Sequence, residues 1–176
     1  MLVSEETWKE KMQNLMDRRE LGTIGTSANA NKVRDYASHL SKVFIGRSVL
    51  DVGCGDMSIK KLLPDVLYSG LDAYPVSEDV FGGEIEDNYA VEFFEVETII
   101  AFAVMDGVQD FDKAIENIKL IAQKNIVFLT GVNIPPDRYH TLELKLSDFD
   151  YRFSDWKKTY QEEIVKNVYL LEYTKP

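Results

Sequence analysis

Apolar residues along this chain change their spacing several times, and each change marks an element. In 4–22, Trp8, Met12, Leu15 and Met16 recur three and four residues apart, the period of a helix with one buried face. Ser4 stands at its start as an N-cap, Arg18 and Arg19 fill its last turn, and Gly22 stops it. After the small-residue loop "TIGTSANA", a second helix is predicted over 28–44. Val33, Tyr36, Ala37, Leu40 and Val43 form its apolar side, and His39 within it reads as structural. The period then shortens. "SVLDV" reads as a strand, "GCG" as a turn, the following residues as a short helix ending near Pro64, and 66–71 as a second strand.

Residues 73–97 are turn-rich and acidic, and within them "YAVEFFEVE" fits a helix or an edge strand. "TIIAFAV" and "NIVFLTGV" are continuous apolar runs, the mark of strands covered on both faces. Between them, "DFDKAIENIKLIAQ" is an amphipathic helix with Phe111, Ala114, Ile115, Ile118 and Ile121 inward. "TLELKLSDF" fits a strand or a helix, while "WKKTYQEEI" and "VYLLEYT", joined across 165–167, read as an antiparallel hairpin. The alternation predicts an α/β fold: a mostly parallel central sheet, helices on both faces and a C-terminal antiparallel hairpin. The 176 residues are expected to form one domain, with N-terminal helices over 1–46, a core over 47–132 and a C-terminal loop and hairpin over 133–176.

Composition narrows the partners. The formal charge is -10, and basic pairs such as Arg18-Arg19, Lys60-Lys61 and Lys157-Lys158 are scattered, so nucleic acid is not the expected partner. The single cysteine, Cys54, excludes an internal disulfide and a multi-cysteine zinc site, and no metal is expected. Inside the turn it reads as a small side chain that fits rather than a reactive thiol. No apolar run approaches the roughly 18 residues that span a bilayer. The acidic start lacks the regions of a signal peptide. The expectation is a cytoplasmic protein without membrane contact.

The glycine turn carries the chemistry. In open α/β sheets the ligand lies beyond the carboxyl ends of the strands, and Gly53 and Gly55 let the backbone turn sharply and approach it. A glycine turn also serves merely to enter a helix, so charge has to decide. Asp51 and Asp56 would repel a pyrophosphate, by about 1 kcal/mol per charge pair at 4 Å in water and roughly 4 at an effective dielectric of 20. The lysine of a P-loop is absent as well. A cationic, phosphate-free cofactor suits the turn better than a dinucleotide.

"VLDVGCGDMS" together with "YSGLDAYP" resembles the class I S-adenosylmethionine-dependent methyltransferases, over about 50–129 as ordered motifs. The resemblance implies a Rossmann-like fold, S-adenosylmethionine as cofactor, and the two N-terminal helices as a lid with Arg18 or Arg19 near a carboxylate. Asp51, Gly53, Cys54 and Gly55 would hold the methionine part, and Asp72 the ribose hydroxyls. Ala73 and Tyr74 would lie by the adenine, with Glu86 or Asp87 near its amino group, and Phe102 and Ala103 would line the cofactor. Met57 takes the place of a third glycine, and Met105-Asp106-Gly107 stands where many relatives have a Leu-Glu-His-like triplet. Residues 73–97 are short for two helices and a strand, so one element is expected to be reduced.

Methyl transfer from a sulfonium needs chiefly alignment, and a base only where the acceptor must lose a proton. Two substrate-side candidates follow. Asp106 comes just after the fourth strand, where capping the next helix is the alternative role, and His140 lies in the loop after the fifth. The expected function is methylation of a small molecule or another non-nucleic-acid substrate. The alternatives are a catalytically silent scaffold that keeps cofactor binding, and, disfavoured by Asp51, a dinucleotide oxidoreductase.

Overall fold

The structure, a computed structural model, describes residues 1–20 and 28–176. Gly22, most of the "TIGTSANA" loop and the Arg18 and Arg19 side chains lie outside the described residues. Seven strands form one sheet: β1 (Ser48–Val52), β2 (Leu67–Asp72), β3 (Val80–Gly82), β4 (Val96–Phe102), β5 (Ala122–Gly131), β6 (Lys157–Val165) and β7 (Val168–Thr174). Their order is β3-β2-β1-β4-β5-β7-β6. The strands from β3 to β5 run parallel, and β7 pairs antiparallel with both β5 and β6. Strand order reverses between β1 and β4, so the crevice at their carboxyl ends is the topological switch point.

The helices are α1 (Glu5–Glu20), α2 (Ala28–Val33), α3 (Tyr36–Leu40), α4 (Asn88–Phe93), α5 (Phe111–Ile121) and α6 (Leu146–Arg152). One face of the sheet carries the larger core, in which Phe111 from α5, Phe149 from α6, and Phe128, Phe153 and Tyr173 meet ring to ring. These contacts join the C-terminal quarter to the parallel strands. Val49, Ile100, Val127 and Leu170 line the opposite face, under Leu40 and the partly buried Tyr36 and Val43.

Four sequence readings are changed or narrowed. The helix predicted over 28–44 is two short helices, because Asp35 leaves the helical path and its carboxylate accepts the Ser38 amide at 3.3 Å, capping α3. Aspartate prefers that cap to a helix interior. His39 keeps its structural place, buried with Nε2 at 3.1 Å from the carbonyl oxygens of both Lys32 and Val33. "YAVEFF" is helical as α4, β3 has only three residues, and no helix separates β2 from β3, which is the reduction expected there. "TLELKLSDF" forms no strand: 141–145 are irregular and α6 follows, where the Asp148 carboxylate accepts the Lys145 amide at 2.7 Å.

The fourth concerns α5. Its cap is Asp110, whose carboxylate accepts the amides of Asp112 at 3.1 Å and Lys113 at 3.2 Å, so Asp106 does not fill the capping role. Asp110→Ala is expected to cost about 1 kcal/mol of stability, seen as a lower urea midpoint at unchanged m. Asp106→Ala should leave this cap intact.

Candidate functional site

At the switch point the chain leaves β1 through Gly53, Gly55 and Met57, with φ of 67°, 53° and 54°. A Cβ on Gly53 would lie 2.6 Å from Val104 Cγ2, so glycine is required both by conformation and by the close approach of the β4 loop. Met57 therefore holds a left-handed backbone that a glycine would adopt at no steric cost. Beyond it comes only a 3₁₀ turn, Ser58–Leu62. So short an element has little of the dipole that draws phosphate to longer helices.

The Gly53 amide donates to the Leu71 carbonyl at 2.8 Å, tying the turn to the end of β2. There the buried Asp72 carboxylate accepts the Gly55 amide through Oδ2 and the Tyr74 amide through Oδ1, both at 2.9 Å. One carboxylate thus links the glycine turn to the residues after β2. Cys54 is buried, with its sulfur against β2: a Cβ on Gly70 would come within 2.7 Å of it.

Asp51, 2 % exposed, lies between Gly70 and Ile100 of the neighbouring strands and accepts the Tyr68 hydroxyl. Burial pushes its carboxyl up to about 7; the Tyr68 bond opposes this, and Asp72 and Asp56 reinforce it. Burial, with the charge of Asp51, in turn raises the Tyr68 phenol.

A cleft of about 380 Å³, open mouth included, runs along this edge from Gly53 to Val108. Trp8 and Met12 of α1 form one wall, and Trp8 Nε1 donates to the Gly107 carbonyl at 3.0 Å. The surface the cleft exposes is almost wholly apolar, and the charged residues among its described lining, Asp72, Glu84 and Glu86, are all acidic. Burial raises the Glu84 carboxyl, helped by Glu86 and Asp87, and it raises that of Glu86 despite backbone donors. Glu86 accepts the Gln109 amide at 2.8 Å and the Asp110 amide at 3.3 Å, while Asp87 accepts the Glu84 amide at 3.1 Å.

Of the predicted cofactor residues, Gly53, Asp72, Ala73 and Glu86 line this cleft, and Gly55 is bonded to Asp72. Asp51 and Cys54 are buried beside the turn, and Tyr74 is half-buried just past Asp72. Phe102 does not line the cleft. It packs in the core of the opposite face, 5.6 Å from the Tyr36 ring, because the last residue of β4 points to that side. Ala103 is also outside the lining: it turns away exposed at φ 56°, and Val104 takes the place expected of it. Of the two N-terminal helices expected as a lid, α1 walls the cleft through Trp8 and Met12, whereas α2 and α3 pack through Val33, Tyr36 and Leu40 against the opposite face of the sheet.

The two substrate-side candidates come together. His140 Nε2 lies 3.7 Å from Asp106 Oδ2, and His140 Nδ1 is 2.8 Å from Asp137 Oδ1. Asp106 is buried, which raises its carboxyl against the opposing pull of His140. Partial burial acts to raise Asp137, but the amide donors of Tyr139 and His140, with the His140 ring, outweigh it and hold that carboxyl below its usual range. Among the described residues no cluster of three or more His, Cys, Asp or Glu is arranged to hold a metal ion, and no helix is long and apolar enough to cross a membrane.

No protein-family model matches the sequence, and no curated protein matches it. Solved structures do match. The fold is similar to magnesium protoporphyrin IX methyltransferase from Synechocystis with bound SAH, at a TM-score of 0.67 and 13% identity over 96% of this chain and 97% of that one. It is similar to Burkholderia thailandensis 1,6-didemethyltoxoflavin-N1-methyltransferase, at a TM-score of 0.67 and 12% identity over 99% and 92% of the two chains. A SAM-dependent methyltransferase from Aquifex aeolicus matches at a TM-score of 0.61 and 14% identity over 85% and 94%. The chain has the Rossmann-like fold of the class I S-adenosylmethionine-dependent methyltransferases, with its mostly parallel sheet and terminal antiparallel hairpin.

Proposed function

We propose that the cleft binds S-adenosylmethionine and that the protein transfers the methyl group to a small-molecule acceptor. The observation that carries this is the charge of the cleft: acidic, without a lining lysine or arginine among the described residues, at the switch point of the sheet. A pyrophosphate would meet Asp72 and the nearby Asp51 with no lysine or arginine in the described lining, whereas a ligand with an ammonium and a sulfonium is attracted to them. The residues fit such a ligand. Asp72 is a buried carboxylate whose plane is set by two backbone bonds, and a carboxylate has about four acceptor positions, so ribose hydroxyls suit it. Asp51 supplies a negative charge for the ammonium, and Trp8, Met12 and Ile85 supply apolar walls. Bound there, the cofactor supplies a methyl group made electrophilic by its sulfonium; the protein supplies alignment and exclusion of water.

Calorimetry and thermal shift with S-adenosylmethionine, S-adenosylhomocysteine and NAD test the reading. Either sulfur ligand at a hundred times its Kd should stabilise the protein by about 2.7 kcal/mol. NAD should not. A shift with NAD and none with the sulfur ligands would reverse the assignment.

A further inference from the structure

We propose that Asp106 Oδ2 and His140 Nε2 together seat the nucleophilic atom of the methyl acceptor, that His140 takes its proton, and that the acceptor is an uncharged small molecule with an O–H or N–H at that atom. This rests on the reading of the cleft as a methyl-donor site.

The residues are fixed from several sides. Asp106 directly precedes Gly107, which lines the cleft. Its carbonyl accepts the amides of Thr141 at 2.9 Å and Leu142 at 3.1 Å, and the Thr141 hydroxyl at 2.9 Å, which stitches the loop after β5 to the loop after β4. Lys11 of α1 donates to the carbonyls of Asp137 and His140, both at 2.6 Å. The helix that walls the cleft therefore also holds the histidine loop.

The tautomer follows from the partners. Asp137 Oδ1 already accepts the Tyr139 amide at 2.7 Å and the His140 amide at 2.9 Å, and an ionised carboxylate only accepts. Nδ1 of His140 must then carry the proton it gives to Asp137, which leaves Nε2 of the neutral ring with its lone pair. That lone pair faces Asp106 Oδ2 at 3.7 Å, too far for a hydrogen bond between them. The separation still lets a single oxygen or nitrogen lie about 2.8 Å from both. A hydroxyl or amino group fills that position and donates to Nε2.

In the step itself, the acceptor's lone pair forms the bond to the methyl carbon as the carbon–sulfur bond breaks and its electron pair returns to sulfur. The acceptor's proton passes to Nε2, and the resulting imidazolium lies between the carboxylates of Asp106 and Asp137 before its partly exposed ring gives the proton to water. The same carboxylates, with Glu84 and Glu86 in the cleft, repel an anionic acceptor. Asp137 acts through the ring and is a positioning residue.

The chain has two histidines, so imidazole nitrogen spectra of the labelled protein contain two rings, and His140→Gln identifies one of them. With S-adenosylhomocysteine bound, His140 is expected as the Nδ1–H tautomer, and catechol or 2-aminophenol should shift Nε2 while benzoate does not. Asp137→Asn should mix the tautomers and leave S-adenosylhomocysteine affinity within about twofold, since it lies outside the cleft lining. With S-adenosylmethionine, a probe that shifts Nε2 should be methylated, and His140→Gln should slow this by about 100-fold or more. The proposal is overturned by an Nε2–H tautomer, by neutral probes that leave Nε2 unmoved while S-adenosylhomocysteine is bound, by a preference for benzoate, or by full turnover in His140→Gln. Failure of S-adenosylhomocysteine itself to bind would bring down the reading of the cleft instead.

Discussion

Asp72→Ala is expected to weaken S-adenosylhomocysteine binding by calorimetry about 100-fold or more, since hydrogen bonds to a charged group contribute about 1.5–3 kcal/mol each and a ribose offers two. The effect has a second source. The same carboxylate accepts the Gly55 and Tyr74 amides, so its loss also loosens the glycine turn and should lower the melting temperature. Asp72→Asn separates the two contributions. Its amide oxygen can still accept one of the backbone bonds, so it should stay closer to the parent in stability than in affinity. Parent-like affinity in Asp72→Ala would remove the residue from the site.

Asp51→Asn should have opposite effects on stability and on binding. The Asp51 carboxyl is raised to about 7 in the folded protein, chiefly by burial, from a reference value of 3.8. Between those values the native state holds a proton that the unfolded chain has released, so this group's contribution to stability falls as pH rises through the window. Asparagine resembles the protonated acid and keeps an acceptor for the Tyr68 hydroxyl. The variant should therefore gain melting temperature over the parent on going from pH 5 to pH 8. Binding should suffer, by about 2–5 kcal/mol at pH 8, because a ligand ammonium loses its buried counter-charge. The parent should also release a proton on binding near pH 6 and much less at pH 8, visible in calorimetry as a dependence on buffer ionisation enthalpy. A pH-independent stability difference would mean that Asp51 is already ionised in the free protein.

Periodicity served well where one physical cause dominated. The runs "TIIAFAV" and "NIVFLTGV" became β4 and β5 because a strand covered on both faces is apolar at most positions, and their buried Thr98 and Asn125 bond to each other, although β4 stops at Phe102. In the hairpin, β6 alternates as an edge strand with one covered face, while β7, between β5 and β6, is buried through 170–173. The helix over 28–44 was misread because its apolar spacing continues across Asp35, where a side-chain cap outweighs the pattern.

Along the glycine turn, residue type and chain position alone selected Gly53, Gly55 and Asp72, since a left-handed turn and a carboxylate ending β2 leave marks in the sequence itself. Phe102 and Ala103 fall outside the cleft lining because their contacts depend on where β4 ends and how its last residues rotate.

By itself, then, the sequence determined the order of the elements, the parallel core and the acidic glycine turn, all consequences of local backbone preference and of which residues tolerate burial. Tertiary structure alone decided that α2 and α3, expected with α1 as a lid, cover the other face of the sheet and leave the cleft wall to Trp8 and Met12, that Asp110 rather than Asp106 caps α5, and that His140 faces Asp106 at 3.7 Å. Those relations join residues far apart in the chain, and they arise when strands and loops close into the sheet, a step that leaves no periodic trace in the residues it brings together.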